Sequence, residues 1–203
     1  DPKILFPPEY PYTSSTTKIL KENFAEMYRE SLTLMNLNTD DLVVDIGSND
    51  GNLLSNFKDR HRVLGVTPEE IGEIAIKRGI PTIISYFNRE IVKSILEQQG
   101  SAKIITATNV FAHINGINEV VECILELLAP DGVFIVECHY LGSLIETLQY
   151  DTIYHEHLMY YSLHSLKYLF GQHGLNVFHA KQIPTHGGSI RVYVSRDEKY
   201  PIK

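Results

Sequence analysis

Asp151-Thr152-Ile153-Tyr154-His155-Glu156-His157 packs two acids, two histidines and a tyrosine into seven residues, and Tyr160 and Tyr161 follow at once. General acid–base chemistry fits this composition best. Histidine titrates near neutral pH, and a neighbouring acid can set its tautomer and basicity. Three alternatives stay open. His155 and His157 would share a face of an extended segment and could ligate a metal, yet no H-x-x-x-H spacing or Cys pair accompanies them. The cluster could be a satisfied structural one. It could also contact a phosphate or a sugar. A second polar group, Thr185-His186-Gly187-Gly188-Ser189-Ile190-Arg191, joins two glycines to a hydroxyl, a guanidinium and a histidine. That is a reasonable anion cradle, and equally a hairpin turn with Arg191 on the outer strand face.

A third group lies near one quarter of the chain. Asp45-Ile46-Gly47-Ser48-Asn49-Asp50-Gly51 follows the apolar run Leu42, Val43, Val44 and precedes Leu53, Leu54 and Phe57. Strand, glycine turn and helix describe a nucleotide-type pocket at the carboxyl end of a buried strand. The helix would point its free N–H groups back at the turn. The spacing is G-x-x-x-G, not the G-x-G-x-x-G of a pyrophosphate site. The acid Asp45 also suits a cationic ligand, such as the amino-acid end and sulfonium of S-adenosylmethionine (SAM).

The end of the next strand should supply an acid for ribose hydroxyls. The sequence there reads Gly65-Val66-Thr67-Pro68-Glu69-Glu70. Either Thr67 makes one hydrogen bond, or Glu69 or Glu70 reaches back. Alternatively, both glutamates simply favour a helix N-terminus. Thr108-Asn109-Val110-Phe111-Ala112-His113-Ile114 closes a later strand and would face the same crevice. Phe111 could equally be core.

The elements that must position these groups alternate along the chain. A helix is expected over 18–36, capped by Thr16 or Thr17, with Ile19, Leu20, Phe24, Met27, Tyr28 and Leu32 on its apolar side. Strands are expected at 42–46, 62–66, 82–84, 103–107 and 132–137, and helices at 51–58, 70–78, 88–98 and 117–128. Pro130-Asp131-Gly132 reads as a turn. Residues 139–161 lack a clear period. A helix from Ser162 to about 172 ends at Gly174. Strands at 175–182 and 189–195 would form an antiparallel hairpin. Such alternation predicts an α/β fold with a mostly parallel sheet. Five parallel strands plus that hairpin resemble the seven-stranded Rossmann-like sheet of SAM-dependent methyltransferases.

At 203 residues one domain of this kind is the default, with residues 1–40 an arm and helix and 41–203 the domain proper. A net charge of -7 disfavours a nucleic-acid partner. No apolar run is long enough to span a membrane. Cys123 and Cys138 read as buried free thiols, and a cytoplasmic location fits. Oligomeric state is not legible.

Together the motifs resemble the SAM-dependent C-methyltransferases that act on nucleotide-linked ketosugars. The matching stretches are Tyr10-Pro11-Tyr12-Thr13-Ser14-Ser15, Val44 to Gly51, Thr108 to Ile114, Asp151 to His157, and His186 to Arg191. The Tyr-His-Glu-His and His-Gly-Gly-Ser pair is the specific part. The resemblance implies SAM as cofactor, S-adenosylhomocysteine as product and a nucleotide-linked sugar as small-molecule substrate. It implies His157 as the base, with Tyr154, Glu156 and His113 around it. It places Asp45, Gly47, Asn49, Gly51, Thr67, Glu69, Thr108 and Asn109 on the cofactor. It places Tyr10, Tyr12, His155, His186, Ser189 and Arg191 on the substrate, with no metal. The base would remove a proton next to the 4-keto group, and the enolate carbon would attack the methyl group.

Family members typically carry a zinc-binding module before this domain and a further domain after it. This sequence shows neither, so a fragment or a reduced relative is expected. Thr67 also stands where the family usually has an acid. The competing functions are an O- or N-methyltransferase of another small molecule, and a non-catalytic domain that binds a sugar nucleotide or a protein.

Overall fold

Uninterrupted apolar sequence makes the strands that lie under the site. The structure, a computed structural model, describes residues 13–196 and Tyr200. Its strands are β1 (Leu42–Ile46), β2 (Arg62–Thr67), β3 (Thr82–Ile84), β4 (Ala102–Thr108), β5 (Leu128–His139), β6 (Asn176–Ile183) and β7 (Ser189–Ser195). They form one seven-stranded sheet in the order β3-β2-β1-β4-β5-β7-β6. The first five are parallel, and β7 pairs antiparallel with both β5 and β6. This is the expected α/β sheet with its terminal hairpin. The strand order reverses between β1 and β4, so a crevice opens at their carboxyl ends.

Every residue of β1 is buried, as a strand covered on both faces requires. Leu42, Val44 and Ile46 face one core layer. There they meet α3 (Arg89–Gln99), α4 (Ile117–Leu127) and α6 (Leu163–Gln172) through Ile95, Ile124 and Phe170. Val43 faces the other layer, built from Leu20, Phe24 and Met27 of α1 (Lys18–Leu34), with Phe57, Ile80 and Tyr193. Short α2 (Gly72–Lys77) closes the edge beside β3.

The structure corrects four local expectations. Residues 51–58 hold only a 3₁₀ turn, Leu54–Asn56, in place of a helix. Ser55 and Asn56 side chains donate to the Asn52 carbonyl, and Asn56 also to that of Leu53. Such local bonds compete with helix propagation. Secondly, a helix, α5 (Leu141–Glu146), lies in the segment without a period. Thirdly, β5 begins at Leu128, and Pro130–Gly132 bulges within it. Its register jumps from Ala102↔Leu128 to Ile104↔Val133. Lastly, Ile19 and Leu32 are exposed, while Asn23 and Ser31 are buried. Asn23 turns inward because it accepts from the buried Arg191, while Ser31 Oγ donates to the Met27 carbonyl of its own helix. Thr17 does occupy the N-cap position of α1, but its side chain caps nothing.

Candidate active site

One cavity of about 520 Å³ opens at the carboxyl ends of β1, β4 and β5. The β1–Leu54 loop forms its floor. Gly47, at φ +73°, has no room for a side chain, since a Cβ there would overlap Val110 Cγ2. The Gly47 and Ser48 N–H groups donate to the Val66 carbonyl at 2.8 and 3.2 Å. They hold the loop to β2 rather than point at a ligand, and the helix expected to aim its N–H groups at the turn is only the 3₁₀ turn Leu54–Asn56. The Ser48 hydroxyl is buried with no hydrogen-bond partner and lines the cavity.

Asp45 is the buried charge of this half. Thr106 Oγ1 donates to Asp45 Oδ1 at 2.6 Å. Burial pushes its carboxyl up to about 7, against that hydrogen bond. The carboxylate therefore costs the ligand-free fold stability when ionised. The cost is absent below the ordinary value of 3.8 and grows as pH rises toward 7. Asp45→Asn is expected to stabilise the ligand-free protein above pH 7, by at most about 4 kcal/mol. The gain should vanish below about pH 4, as the linkage relation requires. Urea unfolding at both pH values checks this, and a variant no more stable than wild type at pH 8 contradicts it.

At the end of β2, Thr67 is buried and does not line the cavity. Its hydroxyl donates to the Glu69 carboxylate, and Glu69 does line the cavity. Of the alternatives open in the sequence, Glu69 is the acid that reaches back, while Glu70 is exposed. Val66, Pro68 and Phe87 add apolar wall beside it.

The other half holds four histidines. His157, His113, His139 and His186 line the same cavity with Tyr154 and Glu156. Ring centroids of His157 lie 5.0 Å from His113 and 5.0 Å from His139, and His139 lies 5.8 Å from His186. The segment 150–160 is irregular but pinned. Leu158 N–H donates to the Ala112 carbonyl at 2.8 Å. His113 Nδ1 sits 2.7 Å from the Glu156 carbonyl. A carbonyl only accepts, so Nδ1 carries the proton, and Nε2 of neutral His113 is an acceptor.

His157 Nε2 meets the Tyr154 hydroxyl at 3.1 Å, and its Nδ1 is buried with no hydrogen-bond partner. Burial pushes its pKa down to about 4, and charge on His113 and His139 adds to this. The nearby Thr152 carbonyl opposes the drop without reaching hydrogen-bond geometry at Nδ1. Burial also lowers His139 and His186. These rings are neutral at pH 7. In the tautomer that donates Nε2–H to the Tyr154 hydroxyl, Nδ1 of neutral His157 carries the lone pair and can accept a proton.

Of the residues singled out in the sequence, Asp45, Gly47, Asn49, Glu69, Thr108, Asn109, His113, Tyr154, Glu156, His157 and His186 share this cavity. Gly51, Thr67, His155, Ser189 and Arg191 do not line it. His155 is exposed. Arg191 is fully buried, with Nε 3.0 Å from Glu137 Oε2, and Ser189 Oγ donates to the Thr185 carbonyl at 3.1 Å. Neither belongs to an anion cradle, and Arg191 is not on an outer face. Gly187 and Gly188 instead allow close packing. A Cβ on Gly188 would meet Ser143 Oγ at 2.7 Å, and Gln149 Nε2 donates to the Gly187 carbonyl at 2.6 Å. Tyr10 and Tyr12 lie outside the described residues. Among the described residues no group of three or more His, Cys, Asp or Glu could hold a metal ion. No helix there is long and apolar enough to cross a membrane.

Sequence reasoning missed His139 and the wall formed by Ser14, Leu20 and Phe24. The signal for His139 was its place at the carboxyl end of β5, where the topological rule already pointed.

A family model described as a methyltransferase domain matches residues 19–180. The C-methyltransferase NovU of Streptomyces niveus is 38% identical over 197 residues, covering 96% of this chain and 47% of that protein. The chain thus spans about half the length of that relative. Among solved structures, the magnesium protoporphyrin IX methyltransferase ChlM of Synechocystis PCC 6803, with bound SAH, superposes with a TM-score of 0.65 at 14% identity. The match covers 87% of this chain and 83% of that one. The YcgJ protein of Bacillus subtilis also gives 0.65 at 14%, covering 87% and 99%. At such identities these two show the shared Rossmann-like fold.

Proposed function

Because this chain belongs to the methyltransferase domain family, we propose that it binds SAM and methylates a carbon beside the keto group of a nucleotide-linked 4-ketosugar. One observation carries the reading. The cavity joins a cation-suited half, with buried Asp45 and half-buried Glu69, to a half whose neutral His157 keeps one nitrogen without a partner. The 38% identity to a protein named as a C-methyltransferase supports it.

The residues present fit the cofactor. Asp45 faces a cationic amino-acid end. Glu69, steadied by Thr67, accepts ribose hydroxyls. Val66, Pro68 and Phe87 offer an apolar berth to a base, while Asn49, Thr108 and Asn109 supply polar contacts. When bound, SAM supplies an electrophilic methyl group on a sulfonium. His157 takes the proton from the carbon next to the ketone, the C–H pair forms the enolate C=C bond, and the C=O π pair moves onto the keto oxygen. Tyr154 holds the imidazole through the hydroxyl contact at Nε2. His113 donates to the enolate oxygen only when protonated, because its Nδ1–H is committed to Glu156. The bound cofactor would supply the methyl group to the enolate carbon, with S-adenosylhomocysteine as product. The cavity brings the reactants together, which supplies much of the remaining rate. His186 lies on the substrate side, and Tyr10 and Tyr12 keep the substrate role that the resemblance implies.

One observation favours a second reading. A base near 4 is weak for a C–H bond and better matched to a more acidic O–H or N–H proton. The protein should be incubated in D₂O with S-adenosylhomocysteine and a nucleotide-linked 4-ketosugar. Deuterium at the carbon beside the ketone is expected. No exchange, with SAM-dependent methylation of a hydroxyl or amine, would overturn the first reading and leave the second.

A further inference from the structure

The loop that floors the cavity also grips the chain before α1. All three polar groups of Ser14 are taken by it. Ser14 N–H donates to Asn49 Oδ1 at 3.0 Å. Ser14 Oγ donates to Asp50 Oδ1 at 2.7 Å. Asn52 Nδ2 donates to the Ser14 carbonyl at 3.2 Å. Ser15 N–H adds a bond of 3.3 Å to Asp50 Oδ2. Arg78 closes the arrangement. Its Nη1 sits 2.9 Å from Asp50 Oδ2 and 3.1 Å from the Asp50 carbonyl, and Nη2 reaches Ser15 Oγ at 3.3 Å. Burial pushes the Asp50 carboxyl up, but Ser15, Ser14 and Arg78 outweigh it and hold it below the usual carboxylate range.

Asp50 is fully buried and does not line the cavity. Asn49 and Ser14 do, together with Leu20 and Phe24 on the first and second turns of α1. The Ser14–Thr16 turn and the start of α1 are therefore one wall of the cavity. That wall is tied at its near end to the loop that floors the cavity.

We propose that Asp50, with Asn49 and Asn52, is a positioning residue that clamps the Ser14–Phe24 segment over the cofactor, so that cofactor affinity depends on this clamp. The inference rests on the reading that the cavity takes SAM or S-adenosylhomocysteine. The middle of α1 is anchored separately through Asn23, Glu26 and Glu30. Loosening the clamp should therefore open the cavity at the Ser14 end without releasing the helix.

The test is calorimetric titration of wild type, Asp50→Asn, Ser14→Ala and the double variant with S-adenosylhomocysteine, beside a urea unfolding curve for each. Each single variant is expected to bind about tenfold more weakly, as loss of charge-assisted bonds implies. The double variant should lose less than the sum, because both remove the same contact. Far-UV circular dichroism should stay unchanged. Ser14→Ala, which removes one hydroxyl, decides the matter if Asp50→Asn fails to fold. Wild-type binding with unaltered affinity in Ser14→Ala and in any folded Asp50→Asn would overturn this inference alone. No binding by wild type would overturn the cofactor reading and this inference with it.

Discussion

His157→Gln is expected to slow methyl transfer by about 10²–10⁴-fold, the usual contribution of a positioned general base, while S-adenosylhomocysteine still binds. Glutamine fills similar space and keeps hydrogen-bonding capacity, but it cannot take a proton at neutral pH. The wild-type ring is held at Nε2 by Tyr154, which leaves Nδ1 with no partner in a buried setting. Its low pKa, about 4, has a consequence for the pH profile. The base is already neutral at pH 6, so kcat/KM should not fall through loss of this residue between pH 8 and 6. It should fall only as pH approaches 4. So weak a base must gain strength as the reaction proceeds. Negative charge on the enolate oxygen would supply this by favouring the imidazolium beside it. Turnover in His157→Gln equal to that of wild type would exclude His157 as the base.

Most of the Asp45 half of the cavity was legible because it follows from topology. A buried strand, a glycine turn and the next strand end fix where a ligand sits, and Asp45, Gly47, Asn49, Thr108 and Asn109 came from that rule. Glu69 was legible only as one of three alternatives. Whether a residue past a strand end turns back depends on the loop, here steadied by the Thr67–Glu69 bond. His113 and His157 are 44 positions apart in sequence, and no local pattern brings their rings to 5.0 Å. The wall from Ser14 to Phe24 was read as an arm and a packing helix. Its link to the loop is made by polar side chains about 35 residues away. Within the fold, the strands of the parallel sheet were legible from their apolar runs. Short elements were not. α5 has six residues, too few to show a period, and the 3₁₀ turn after Gly51 is set by asparagine and serine side chains that no apolar spacing reports.

Arg191→Met is expected to destabilise the fold by about 3–5 kcal/mol, the usual result of removing one partner from a buried ion pair. Spacing in β7 could not tell which way Arg191 points, because every residue of that strand is buried. The structure aims it into the sheet face under α1, where all its donors are used. Nε meets Glu137 at 3.0 Å, and Nη1 meets Glu26 at 2.5 Å and Glu30 at 2.9 Å. Nη2 meets Asn23 Oδ1 at 2.7 Å and the Asn23 carbonyl at 3.3 Å. Asn23 Nδ2 returns a bond of 2.7 Å to Glu137, which is itself fully buried. Methionine would leave Glu137 without its cation and remove every Arg191 bond to α1, leaving Asn23 on Glu137 and Tyr193 on Glu30 to tie the helix to β5 and β7 by side-chain hydrogen bonds. Lysine would not restore the network, since it lacks the planar fork. For a chain of 203 residues the expected loss lowers Tm by about 6–20 °C. The carboxyls of Glu26 and Glu30 are lowered because Arg191, Lys181 and Tyr193 outweigh the effect of burial. Their contribution is complete above the ordinary value of 4.5 and is lost as pH falls through their lowered values. The gap between wild type and Arg191→Met should therefore narrow in acid, as urea curves at pH 7 and pH 4 would show. An unchanged urea midpoint at pH 7, with weakened binding of a nucleotide diphosphate, would instead mean that Arg191 serves the substrate.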